Sequence, residues 1–182
     1  MMNPNYVKYM SAQKKSPQTI KSYTTHINKM LDYIGKADTD VTYTDLIDWQ
    51  DSISNLASAT VALKVAAVKN YFAFLVKAGV IDSDPSENLE KPSVHNKAKH
   101  YMSPAMVREM VNYARTYRDR ASIMLFASTG LRFEEMANIT LADYEEMKKT
   151  DNHVLKIMGK GAKERFIYFN DETIKKVDKY LA

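Results

Sequence analysis

Cysteine is absent from the 182 residues, which removes disulfides and thiolate zinc sites from consideration and suits a reducing compartment. The four histidines are not spaced against carboxylates as a ligand set requires, so no metal is expected. Glycine and proline number five each, too few for a collagenous or low-complexity chain, and no internal repeat is present. No apolar run approaches the roughly 20 residues of a membrane helix, and the first residues lack the apolar core of a secretory signal. A cytoplasmic protein with no membrane partner is the expectation. The G-x-x-x-x-G-K-[ST] spacing is also missing, which excludes a nucleotide P-loop; neither a cofactor nor a small-molecule substrate is expected.

What is present is ordinary in bulk and uneven in detail. Hydrophobic residues make up 45% and charged residues 26%, a balance that fits one large or two small globular domains. The net charge of +4 argues only weakly for a nucleic-acid partner, but its distribution says more. Residues 1 to 36 carry Lys8, Lys14, Lys15, Lys21, Lys29 and Lys36 against Asp32 alone, whereas 37 to 57 carry Asp38, Asp40, Asp45, Asp48 and Asp51 with no base. Lys64, Lys69 and Lys77 then stand without an acid between 58 and 79, and the stretch from Lys91 to Arg132 has eight bases against Glu109 and Asp119. Such alternation predicts a fold with one basic and one acidic side.

Helical periodicity organises the first half. Ile20, Tyr23, Ile27, Met30, Leu31 and Ile34 recur at helical spacing behind Ser16-Pro17, a cap and first-turn proline, and Gly35 ends the run. A shorter helix fits Thr44 to Ile53 after a threonine cap, with Trp49 in the core. The run from Ser58 to Ala78 places Val61, Val65, Val68, Phe72 and Leu75 on one face and stops at Gly79, which makes it the longest helix. Residues 91 to 99 are polar, contain Pro92 and show no apolar period, as a linker does. The expected organisation is therefore 1–92, a linker at 93–102, and 103–182. Beyond the linker, Ser103-Pro104 begins a helix, the apolar run 121 to 127 forms the next, and Asp171 to Ala182 forms the last.

Two motifs carry the chemistry. Ser128-Thr129-Gly130-Leu131-Arg132-Phe133-Glu134-Glu135 follows an apolar run, and Gly130 can take backbone angles barred to other residues, so Arg132 starts a new helix after a tight turn. Twenty-eight residues after that arginine comes the lysine of Gly159-Lys160-Gly161-Ala162-Lys163-Glu164-Arg165. It sits between two short runs rich in β-branched and aromatic residues, His153 to Met158 and Glu164 to Phe169, as the tip of a β-hairpin would. Alone, Thr-Gly-Leu-Arg is most often a helix-start ion pair and Gly-Lys-Gly any tight turn. Together they supply an arginine and a lysine, two cations of a kind suited to gripping a DNA phosphate.

Together these residues resemble the phage integrase, or tyrosine recombinase, family. The first part of the chain is also similar to that family's helical core-binding domain, through Ser16, Thr19 and Tyr23 and through the aromatic close Tyr71-Phe72-Ala73-Phe74-Leu75. The resemblance implies a mainly α fold, a helical SAM-like core-binding bundle followed by a truncated α+β catalytic domain with one β-hairpin. It implies that Arg132 contacts the scissile phosphate, that Lys160 protonates the leaving 5′ oxygen, and that Glu135 supports the arginine's helix. Since an ordinary lysine titrates near about 10.4, that acid role needs neighbouring cations or partial burial. The family straddles duplex DNA with its first domain, which implies phosphate contacts for Lys14, Lys15, Thr19, Lys21, Lys64 and Lys69, with Lys163 and Arg165 flanking the hairpin. Double-stranded DNA is the implied partner, with self-association on DNA in the full-length form.

The family's chemistry also needs a His-x-x-Arg motif and a tyrosine nucleophile. The residues three positions after His26, His95, His100 and His153 are Lys29, Ala98, Ser103 and Lys156, so no such motif occurs. Only Tyr168 and Tyr180 follow Lys160, and neither has the nucleophile's context. Losing a charge-stabilising arginine costs on the order of 10³ to 10⁵ in the related phosphoryl-transfer problem. The expectation is a truncated recombinase that binds duplex DNA without cleaving it. A non-catalytic DNA-binding regulator or decoy derived from an integrase, and a helical protein-interaction domain, are the alternatives.

Overall fold

The computed structural model describes residues 2–94, 100–159 and 163–182. The expected hairpin tip, Lys160 and Gly161, and the centre of the expected linker, 95–99, lie outside them. The chain divides into two compact units, Met1–Lys97 and Ala98–Ala182.

Unit 1 is a helical bundle of α1 (Asn5–Ala12), α2 (Pro17–Ile34), α3 (Tyr43–Ser52) and α4 (Ser58–Lys77), with one 3-10 turn at Asp38–Asp40. Local chemistry sets most of its boundaries. Ser16 accepts the Thr19 N–H ahead of Pro17, and Gly35 closes α2 at φ 69°, a left-handed angle that costs glycine nothing. Thr42 and Asp45 exchange side-chain and backbone hydrogen bonds at the start of α3. The apolar stripe Val61, Val65, Val68, Phe72 and Leu75 of α4 is buried, and with Ile27, Met30 and Leu31 of α2 and Leu46 and Trp49 of α3 it forms the core. By length and composition α4 is long and apolar enough to cross a membrane, which corrects the expectation drawn from apolar runs; its buried stripe packs against α1 and α2. Helix α1 was not expected. Its eight residues bury only Tyr6 and Met10, one turn apart, and no side chain caps it.

Unit 2 contains α5 (Pro104–Tyr113), α6 (Tyr117–Thr129), the five-residue α7 (Phe133–Ala137), α8 (Leu141–Lys148), strands β1 (Val154–Met158) and β2 (Glu164–Tyr168), and α9 (Asp171–Leu181). The strands pair antiparallel, with Val154 opposite Tyr168 and Met158 opposite Glu164. Ile157 and Ile167 face a small core shared with Ala121, Leu131, Tyr144, Met147, Phe169 and Val177. Helix α8 was also not expected, although Thr140 and Asp143 form a capping box at its start. It is tied to α9 by Asp178, whose carboxylate accepts from Tyr144 at 3.0 Å and from Lys148 at 2.9 Å. On α9 Leu181 is exposed, while Thr173 is fully buried and donates to Ser128 Oγ at 2.9 Å.

Candidate nucleic-acid interface

In unit 2, helix α6 ends at Gly130 with φ 63°, and the chain turns through Leu131 into α7, leaving Arg132 at the N-cap position. The turn is held from below: Thr129 Oγ1 donates to the Leu125 carbonyl at 2.6 Å and accepts the Leu131 N–H at 3.3 Å. Leu131 is buried in the core, so the next side chain points outward, and that of Arg132 is 61% exposed.

Glu135 is the organising group. Its side chain is only 6% exposed, and its Oε1 accepts Arg132 Nη1 at 2.8 Å while Oε2 accepts the Arg132 N–H at 2.8 Å and Arg165 Nη2 at 2.7 Å. The backbone N–H of Arg132 above all, then the two guanidinium groups, hold the carboxyl below the usual glutamate range. Arg165 also donates to the Gly130 carbonyl at 3.1 Å, and its Nε is buried without a partner among the described residues. The root of the hairpin closes on the same cluster. A Cβ placed on Gly159 would stand 3.3 Å from Glu135 Oε1 and 4.0 Å from Arg132 Nη1, so the glycine permits this approach. The Gly159 N–H donates to the Lys163 carbonyl at 2.8 Å, one step beyond the Met158–Glu164 pair of the two strands. Glu135 contacts Arg132 directly, Gly159, the residue preceding Lys160, lies against that pair, and Lys163 is exposed.

In unit 1 the lysines divide. Lys14, at φ 55°, and Lys15 are exposed between α1 and α2, and Lys21 is exposed on α2. Thr19 is half-buried and pairs its hydroxyl with Ser16 Oγ at 2.8 Å, so it serves the helix cap. Lys64, half-buried on α4, and Lys29, exposed on α2, both lie near His26 of α2. Burial first, then the charges of Lys64 and Lys29, hold His26 below the usual histidine range, and its Nδ1 is buried with no partner among the described residues. Lys69 is already engaged within the chain: its ammonium donates to the carbonyls of Glu87 at 2.8 Å and Leu89 at 3.0 Å, fastening the following loop onto α4. Lys29 and His26 escaped the sequence reading, although Lys29 lies two helical turns beyond Lys21 on α2. Lys36 is neutralised by Asp45 at 2.7 Å. Among the described residues no three metal-binding side chains converge.

Residues 4–79 match the family model for the phage integrase N-terminal SAM-like domain, and residues 100–182 match that of the phage integrase family. The chain belongs to the phage integrase family. Among curated integrase relatives, the tyrosine recombinase XerC of Caldanaerobacter subterraneus subsp. tengcongensis is 29% identical over 206 residues, covering 97% of this chain and 57% of that protein. The tyrosine recombinase XerD of Rickettsia conorii is 27% identical over 180 residues, covering 91% and 59%. The chain thus spans a little over half the length of the curated integrases it matches. The crystal structure of a lambda integrase tetramer bound to a Holliday junction shares the fold, with a TM-score of 0.75 at 13% identity over 96% of this chain and 54% of that one.

Proposed function

We propose that this chain is the duplex-binding part of a tyrosine recombinase acting in site-specific recombination. Residues 1–92 grip the DNA backbone through Lys14, Lys15, Lys21, Lys29 and Lys64, and residues 103–182 offer Arg132, Lys160 and Lys163 to the phosphate at the exchange point. The observation that carries this reading is the convergence of the hairpin root, Glu135 and Arg132, which sets a solvent-facing guanidinium beside the residue that precedes Lys160. Preplaced cations of this kind meet the negative charge that builds on a phosphodiester under attack. The His-x-x-Arg motif and a tyrosine in nucleophile context are missing from these residues. Binding without strand cleavage is the activity assigned to them.

The test is a salt titration of affinity for a duplex oligonucleotide. Each neutralised phosphate contributes about 0.9 to the slope of log affinity against log salt, so eight contacts, one for each cation named, give about −7, a loss on the order of 10⁴ between about 50 and 200 mM salt. K21A, K29A and K64A should each lower the slope by about 1. K69A, whose ammonium is spent on carbonyls, should leave it unchanged. A flat salt response would instead favour a helical protein-interaction domain, and a covalent protein–DNA product on a nicked duplex would overturn the assignment of binding alone.

A further inference from the structure

Arg165 stands apart from the outward-facing cations because its guanidinium is turned into the protein. Its Nη2 donates both to Glu135 Oε2 at 2.7 Å and to the Gly130 carbonyl at 3.1 Å. Gly130 and Glu135 bracket the segment that presents Arg132, so one nitrogen from β2 ties both ends of that turn together. Glu135 in turn holds Arg132 twice, through its backbone N–H and through Nη1, both at 2.8 Å. Electrostatics give the second guanidinium a further role. A carboxylate paired with Arg132 alone leaves no net charge, and an approaching phosphate would meet a cation already spent. With Arg165 on the same carboxylate the cluster carries one net positive charge, and Arg132 keeps its outward face for a ligand.

We propose that Arg165 is a positioning residue: by clamping the Glu135 carboxylate and the Gly130 carbonyl, it keeps Arg132 aimed at a DNA phosphate and electrostatically free to bind it. This rests on the reading of Arg132 as a phosphate ligand and replaces the expectation that Arg165 itself touches DNA. The side chain of Arg165 is 37% exposed against 61% for Arg132, and its Nε is buried. Arg165 also stands on β2 directly opposite Ile157, two residues before Gly159, so the same contact that orders Arg132 docks the hairpin root.

The test compares the full 182-residue chain with R132A, R165Q, R132A/R165Q and E135Q/R165Q in salt titrations on duplex DNA. R165Q should lose the same increment of slope as R132A, about 0.9. R132A/R165Q should lose no more than R132A, and E135Q/R165Q should regain most of the loss, because the carboxylate charge that Arg165 offsets is gone. If Arg165 instead contacts phosphate directly, the two losses add and E135Q/R165Q stays impaired; either result overturns the proposal. Without DNA, the Arg132 guanidinium NMR signals should be resolved in the wild type and averaged in R165Q, with the Ile157 and Ile167 methyl signals unmoved; resolved Arg132 signals in R165Q also overturn it. If R165Q fails to fold, E135Q/R165Q, which buries no unbalanced charge, decides: a wild-type slope supports the role and an R132A-like slope sinks it. A wild-type chain indifferent to salt would refute the DNA reading itself. A salt-responsive wild type matched by R165Q would refute only the positioning role.

Discussion

Removing one hydroxyl, that of Tyr71, tests how unit 1 is held together. Tyr71 is fully buried on α4; its hydroxyl accepts the Asn3 N–H at 2.7 Å and donates to the Asp38 carboxylate. The chain ahead of α1 and the 3-10 turn are thereby pinned to one point of the core. Burial above all pushes the Tyr71 hydroxyl up from the usual tyrosine range, so it remains a donor throughout neutral pH. Tyr71→Phe keeps the ring and its edge-on contact with Tyr6, whose centroid lies 5.1 Å away. The loss is therefore confined to two hydrogen bonds. A bond to a neutral group contributes about 0.5–1.5 kcal/mol net and one to a charged group about 1.5–3 kcal/mol. Asn3 and Asp38 are half-buried and can recover water, so the lower end applies, about 2 kcal/mol in all. In a domain of this size that lowers the melting temperature by about 8–16 °C. Trp49 is the only tryptophan and is 3% exposed, so its fluorescence reports unit 1 during urea unfolding. The midpoint should fall with the m-value unchanged, and Asp38→Ala should add little in the Y71F background. An unmoved midpoint, or fully additive losses, would refute the pinning argument.

His26 should titrate by NMR with a midpoint below the ordinary histidine value, because burial and then Lys64 and Lys29 disfavour its charged form. The stability gained by keeping it neutral is then complete above the ordinary value and is lost as pH falls through the lowered one. Duplex DNA, whose phosphates offset the two lysines, should raise that midpoint; a midpoint above the ordinary value in the free chain would contradict the placement. Gly130→Ala meets nothing within 4 Å, so its cost is backbone strain at φ 63° alone, about 1–2 kcal/mol, read as faster amide exchange in α6 and α7. Unchanged exchange would show that the turn is not left-handed.

Much of this fold was written locally. Ser16, Pro17 and Gly35 bound α2, threonine caps start α3 and α8, and the stripe of α4 announces a buried face, because capping bonds and helical periodicity involve residues only a few positions apart. The hairpin and the Arg132 turn were legible for the same reason. Helix α8 could have been found from Thr140 and Asp143. Helix α1, short and uncapped, forms because Tyr6 packs against Tyr71 and Phe74, contacts with residues far along the chain. The side-chain partners around the candidate site are likewise non-local. The ammonium of Lys69 meets the carbonyls of Glu87 and Leu89, and the guanidinium of Arg165 meets Glu135, 30 residues earlier, pairings that no local pattern announces. A side chain's type and spacing determine which partners it could take. Only the folded chain decides which of them lies within the few ångströms over which a hydrogen bond or an ion pair acts.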